Sequence, residues 1–237
     1  MQEDGGAPVT SEWLAASLAD ADGRGPAEVI GQVCRAAVRP LEVSGLAVIV
    51  LSGGRAVGTV CASDETAKGL EALQFSLGEG PSIDAHRSRV PVAETDLGRS
   101  HRWPAFAPEA NDAGVQATFA FPLQVGAARF GALELHRREV GSMTEGAFAE
   151  AIEVARAATV LVLALLADVP PGMMPLALED ATAARAHVHQ VTGMVSAMLQ
   201  IDTAEALVRL RARAYADSRT LGDLSADVVS RLIRFER

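Results

Sequence analysis

The chain has 237 residues, 49% apolar and 22% charged, near the globular averages of about 45–50% and 25%, which excludes an intrinsically disordered regulator. A formal net charge of −9 excludes a protein that coats nucleic acid electrostatically. The charge is uneven, however: residues 1–178 hold 22 acids and 13 bases, whereas residues 179–237 hold 8 of each. Any nucleic-acid role therefore belongs to the tail.

Residues 1–9 read as a loose arm, and Thr10 or Ser11 can cap a short helix carrying Trp13, Leu14 and Leu18. Pro26 suits a first helical position, and Val29, Ile30, Val33, Cys34, Ala37 and Val38 recur at helical spacing. Two short β-branched runs, 45–54 and 55–63, flank Gly53-Gly54 and predict a hairpin. A helix over 64–77, a Gly-Glu-Gly-Pro-Ser turn at 78–82 opening a second helix at Pro81, and a short strand at Pro91-Val92 follow. Residues 102–113 are expected to be helical, 117–125 and 128–137 to form a second hairpin around Gly126, and 144–168 to form one long helix. Val169-Pro-Pro-Gly172 stops that helix. The tail resolves into helices at about 176–199, 202–217 and 220–235, the last two opened by Asp202-x-x-Glu205 and Thr220-x-x-Asp223 capping boxes. Such a short bundle has a marginal core and is expected to lean on a partner chain.

The motifs of catalysis are missing: there is no GxSxG, HExxH or Walker loop. His187 and His189 lie about 200° apart around a helix and cannot chelate one metal. Asp84, His86, Asp96 and His101 form a polar group that ordinary loop polarity explains. Cys34 and Cys61, 27 apart with no CxxC spacing, read as reduced, buried thiols. The acidic N-terminus carries no signal-peptide pattern, and the largely apolar eleven-residue run 157–167 is too short to span a bilayer, so a cytoplasmic protein is expected. The same run predicts a homodimer packed along the 144–168 helix, with Leu161, Val162 and Leu165 near the two-fold axis.

Residues 77–137 resemble the GAF domains of actinobacterial signalling proteins. The matching elements are Gly78-Glu79-Gly80-Pro81 with Asp84-Ala85, Pro91-Val92, Asp96-Leu97, Arg102-Trp103-Pro104 with Phe106, Pro122-Leu123 and Gly131-Ala132-Leu133. Residues 188–229 resemble the ANTAR domain of RNA-binding antiterminators, through Gln190 with Gly193, Glu205-Ala206, Leu210-Arg211, Ala214, Leu221 and Val228-Val229. Two departures stand out. Ser82 replaces a cysteine common in the family, and Val191-Thr192 replaces an alanine often followed by lysine, which removes a phosphate contact.

The resemblance implies an α+β fold, a GAF-like antiparallel sheet flanked by helices, followed by an all-α three-helix ANTAR bundle. The expected division is 1–24 arm and short helix, 25–168 GAF sensor, 169–178 linker and 179–237 ANTAR domain. A ligand, if the GAF domain takes one, would lie between the sheet and segment 64–115. The expected lining is Cys61, Phe75, Trp103, Phe106, Phe119 and Phe121. The tail would bind hairpin loops of leader transcripts and prevent termination, through Gln190, Thr192, Gly193, Arg211, Arg213 and Tyr215. Stacking on an aromatic or arginine plane with polar contacts to base edges is how unpaired loops are read. The expected protein is therefore a non-catalytic regulator with no metal, no cofactor and no membrane contact. The alternative is a ligand-binding or interaction module whose tail only dimerises.

Overall fold

The computed structural model describes residues 12–20, 23–52, 55–167, 175–217, 219–230, 233 and 235. The expected arm and most of the Pro/Gly linker lie outside the described residues. Helices α1 (Glu12–Ala19) and α2 (Pro26–Ala37) precede a hairpin of β1 (Gly45–Ser52) and β2 (Arg55–Ala62). Then come α3 (Glu65–Leu77), α4 (Pro81–Ser88), β3 (Val92–Glu94) and α5 (Phe106–Asp112). A second hairpin, β4 (Ala117–Val125) and β5 (Ala128–Arg137), leads into α6 (Glu145–Ala167). The tail is α7 (Leu176–Leu199), α8 (Thr203–Ala216) and α9 (Leu221–Val229).

The five strands form one antiparallel sheet in the order β2-β1-β5-β4-β3. Register sorts the side chains. Val48 pairs with Leu133 and Leu133 with Phe121, so these share one face; Ala47 pairs with Glu134 and Glu134 with Ala120, so these share the other. On the first face Leu46, Val48, Val50, Phe119, Phe121, Leu133 and Leu135 pack against Ile30 and Val33 of α2 and Val154, Ala158 and Val162 of α6. Helices cover both faces, which is why β1 is buried along nearly its whole length rather than alternating.

The tail finds an apolar surface for its core within its own chain. Val188, Val191 and Val195 of α7 and Leu207 and Leu210 of α8 belong to one apolar cluster with Ala47, Ile49 and Leu51 of β1 and Phe75 of α3. Its missing apolar partner is the second face of the chain's own sheet, which α7 reaches beside the edge strand β2.

Four further expectations change. The 102–113 helix starts only at Phe106, because Glu79 Oε1 accepts from the Ala105 and Phe106 N–H groups (2.7 and 3.0 Å) and so caps α5 from 26 residues upstream. The last helix ends at Val229, not near Phe235. Val162 is fully buried against the sheet and Leu165 is also buried, so neither offers a surface at a two-fold axis; an outward apolar position on the same helix is Val160, 65% exposed. Finally, Cys34 and Cys61 are not reduced thiols but a disulfide, with Cα atoms 6.7 Å apart. Cys34 points inward from α2, which lies across β2, and that packing brings two distant thiols together.

Candidate functional site

A strand that is polar at alternate positions normally shows those positions to water. β5 carries Glu134 and His136 on the face opposite Leu133 and Leu135, yet both are buried, because α3 and α4 cover that face along β5. The segment from α3 to α4 is shaped to fit them. Gly78 closes α3 with a left-handed residue (φ 76°), and Gly80 (φ 138°) leads into Pro81 at the first position of α4. A Cβ on Gly80 would meet the Gln74 side chain at 2.4 Å, so only glycine lets that amide lie across the turn.

Gln74 connects three elements. Its Nε2 donates to Glu134 Oε2 (2.6 Å) and its Oε1 accepts from the Ser82 backbone N–H (2.9 Å). The Ser82 hydroxyl donates to the same Glu134 oxygen (2.8 Å). The other carboxyl oxygen, Oε1, is buried without a hydrogen-bond partner among the described residues. Burial pushes the Glu134 carboxyl up to about 7, the hydrogen bonds from Ser82 and Gln74 oppose this, and the Glu71 carboxylate adds to it. Glu134 is thus a fully enclosed carboxyl that changes charge near neutrality.

Two histidines border it. His86 on α4 is buried and hydrogen-bonded to the Gly131 backbone; burial, then the Arg129 charge, lowers its pKa. Its Nδ1 has no partner among the described residues. His136 Nε2 stands 3.6 Å from Asp64 Oδ2, and Asp64 also caps α3 by accepting from the Ala67 N–H. Burial lowers the His136 pKa and Asp64 opposes the shift. The cluster therefore holds hydrogen-bonding groups in uncharged or weakly charged forms inside a covered layer. No reactive group is offered to solvent by Ser82, Glu134 or His86, all of which are buried. Among the described residues no group of three or more His, Cys, Asp or Glu side chains is placed to hold a metal ion, and no helix is long and apolar enough to cross a membrane.

A family model for the GAF domain matches residues 23–162, more than half of the chain, from just before α2 into α6. The chain belongs to the GAF domain family. Solved structures agree at the level of fold. The GAF domain of a phosphoenolpyruvate-protein phosphotransferase from Coxiella burnetii is 14% identical, with a TM-score of 0.53 over 66% of this chain and 94% of that one. Its counterpart from Acinetobacter is 11% identical (TM-score 0.52, 68% and 96% covered). A free methionine-R-sulfoxide reductase from Neisseria meningitidis, solved with its substrate, is 10% identical (TM-score 0.50, 67% and 90% covered). No curated protein matches.

Within the GAF domain the six expected lining residues do not meet. Phe119 and Phe121 belong to the α2–α6 face, where Cys61 also packs, bonded to Cys34. Trp103 and Phe106 form a T-shaped pair, 5.8 Å between centroids, in a third cluster with α5. Phe75 alone lies with the tail cluster. Of the other loop polar groups, Asp84 Oδ2 accepts from Arg102 Nε (3.1 Å) and Trp103 Nε1 (3.0 Å), which pins the 102–103 turn to α4. His101 is exposed.

The expected RNA contacts divide as well. Gln190, Gly193, Arg213 and Tyr215 are exposed. Arg213 pairs with Asp217 (2.6 Å), and Tyr215 is 58% exposed. Thr192 is buried, its hydroxyl donating to the Val188 carbonyl (2.7 Å). Arg211 is turned toward the GAF domain, where Nη2 donates to the Phe75 carbonyl (2.8 Å). Arg211, Tyr215, Arg219 and Thr220 line one wall of a cleft of about 730 Å³. Ala72, Leu73 and Ser76 of α3 are on its other wall. Gln74, Glu134 and His136 were missed in the sequence, while His86 reads there as loop polarity and Ser82 only as replacing a cysteine; the pattern Ala132-Leu133-Glu134-Leu135-His136 is the signal for the two β5 residues, and it reads first as a solvated strand face.

Proposed function

We propose that the chain is a signal-responsive RNA-binding regulator: the GAF domain senses a small molecule or a partner protein, and the tail binds RNA hairpin loops to prevent transcription termination. The GAF domain assignment rests on the family match. The RNA reading rests on one observation: the tail residues that resemble ANTAR domains fold as three helices, the last two opened by side-chain caps, with Tyr215 exposed on α8 and lining the same cleft as Arg211 and Arg219. An aromatic plane beside guanidinium groups is a surface that suits unpaired bases. The protein acts without catalysis, and the buried carboxyl–amide–hydroxyl group of Glu134, Gln74 and Ser82 is the natural point at which a signal reaches the sheet, since it joins α3, α4 and β5. The working form is a homodimer in the cytoplasm.

The test is retention of a short two-hairpin RNA by the full-length protein against a scrambled hairpin of equal length, across a salt series. Selective binding that weakens with salt is expected. Equal binding of both RNAs overturns the RNA reading, and the tail is then an element for dimerisation or domain contact.

A further inference from the structure

The tail is seated on its own sensor, and the seat uses part of the surface that RNA would need. We infer that this docked arrangement is the RNA-silent state, in which the GAF domain holds α8 against α3, and that loop binding requires α8 to part from α3. The inference rests on the RNA reading above and adds its regulation.

Three observations carry it. Arg211 donates to the Phe75 carbonyl, so a guanidinium expected to contact RNA is spent on the sensor's own backbone. Gly78, at the end of α3, lets the guanidinium lie directly over it: a Cβ there would stand 2.4 Å from Arg211 Nη1 and 2.7 Å from its Cζ and would displace it. Tyr215 opens onto a cleft whose opposite wall is α3, which limits how a hairpin can approach its ring. The contact is also incomplete, which marks where it would part. Between α3 and α8–α9 lies that cleft of about 730 Å³, while Leu207 and Leu210 of α8 join Val188, Val191 and Val195 of α7 in the cluster with β1 and Phe75, so α8 meets α3 at that cluster and is separated from it along the cleft. The bundle can therefore swing about α7 and part first at the α3–α8 side. The Gln74–Glu134–Ser82 group sits under the same stretch of α3, one residue before Phe75, so a change there is passed directly to the carbonyl that Arg211 grips.

The experiment uses the full-length chain with Ala72→Cys and Thr220→Cys, one on each wall of the cleft and both exposed. One sample is bridged with a short bismaleimide; the other is capped at both cysteines with N-ethylmaleimide, which fills space without tying the walls together. The bridged protein is expected to bind the two-hairpin RNA at least tenfold more weakly than the capped one. Gly78→Ala, which pushes Arg211 away, is expected to raise affinity several-fold. Gly114→Ala, also at positive φ but with open space around it, controls for backbone strain and is expected to change nothing. Equal affinity of bridged and capped protein overturns the inference while leaving the RNA reading intact, as does a Gly78→Ala affinity no higher than that of Gly114→Ala. If no form prefers the hairpins over the scrambled RNA, the RNA reading itself fails and takes this inference with it.

Discussion

Glu134→Gln isolates the charge of the buried carboxyl while keeping its shape. In the wild type the carboxyl is raised to about 7 in the fold, from 4.5 in the free chain. Between those values the folded state holds a proton that the unfolded state has released, so stability falls as pH rises through the window. At about 1.4 kcal/mol per unit, full ionisation costs about 3 kcal/mol by pH 8 relative to pH 4. The glutamine amide keeps an oxygen to accept from Ser82 and Gln74, and it never ionises. The two histidines act with the opposite sign: both are lowered, so each favours the fold most when neutral and withdraws that support as pH falls below its unfolded value. They are common to both proteins and cancel in the difference. Urea unfolding at several pH values is therefore expected to show Glu134→Gln near wild type at pH 5 and more stable by about 2–3 kcal/mol at pH 8. Parallel curves for the two proteins, or a variant less stable at pH 8, would refute the burial and partner assignment of Glu134.

Phe121→Ala, at a fully buried ring 5.1 Å from that of Phe148, is expected to cost about 3–5 kcal/mol in the same unfolding assay. Tyr215→Ala leaves the fold intact and weakens RNA binding by about 1–3 kcal/mol, measured by filter retention. Arg213→Ala instead flattens the salt dependence by roughly one ion on every RNA. Val160→Asp, on the outward side of α6, is expected to halve the mass by light scattering if the dimer packs along that helix, with the thermal transition unchanged.

The parts of the fold that local chemistry dictates were legible. Asp202 and Thr220 cap α8 and α9 as their boxes require, accepting from the Glu205 and Asp223 N–H groups. The two hairpins lie where β-branched runs flank glycine turns, and the apolar spacing in α2 matches its buried side. What local chemistry leaves open is which face of an element meets which neighbour. Phe119 and Phe121 point the same way by period two, but nothing in the strand says whether that side meets a ligand or α6. Glu134 and His136 look solvated until the distant α3 and α4 cover them. The start of α5 depends on Glu79, far outside its own window. The tail bundle needed a partner surface, and periodicity cannot tell a second chain from the chain's own sheet.

The Cys34–Cys61 bond was likewise invisible, since a separation of 27 residues carries no pairing code, and it leads to a distinct expectation. The bond ties α2 to β2, the edge strand of the sheet. β1 pairs with β2 on one side, and α7 packs beside it from the tail. Closing a loop of this length in the unfolded chain removes entropy worth about 3.5 kcal/mol, on the chain-entropy view of disulfides. For a chain of this size each kcal/mol moves the melting temperature by about 2–4 °C, so the bond supports roughly 7–14 °C. The doubly substituted Cys34→Ala, Cys61→Ala protein is expected to melt that much lower than the oxidised wild type. The wild type in excess dithiothreitol should fall to nearly the same value, and the variant should ignore the reductant. Because β2 carries α7 as well as Cys61, hydrogen exchange in α7 should rise together with that in β2 when the bond is lost. A wild type that melts at one temperature with and without reductant would show that the two thiols are not joined in the folded protein. Exchange that rises in β2 alone would show that the edge strand does not hold the tail.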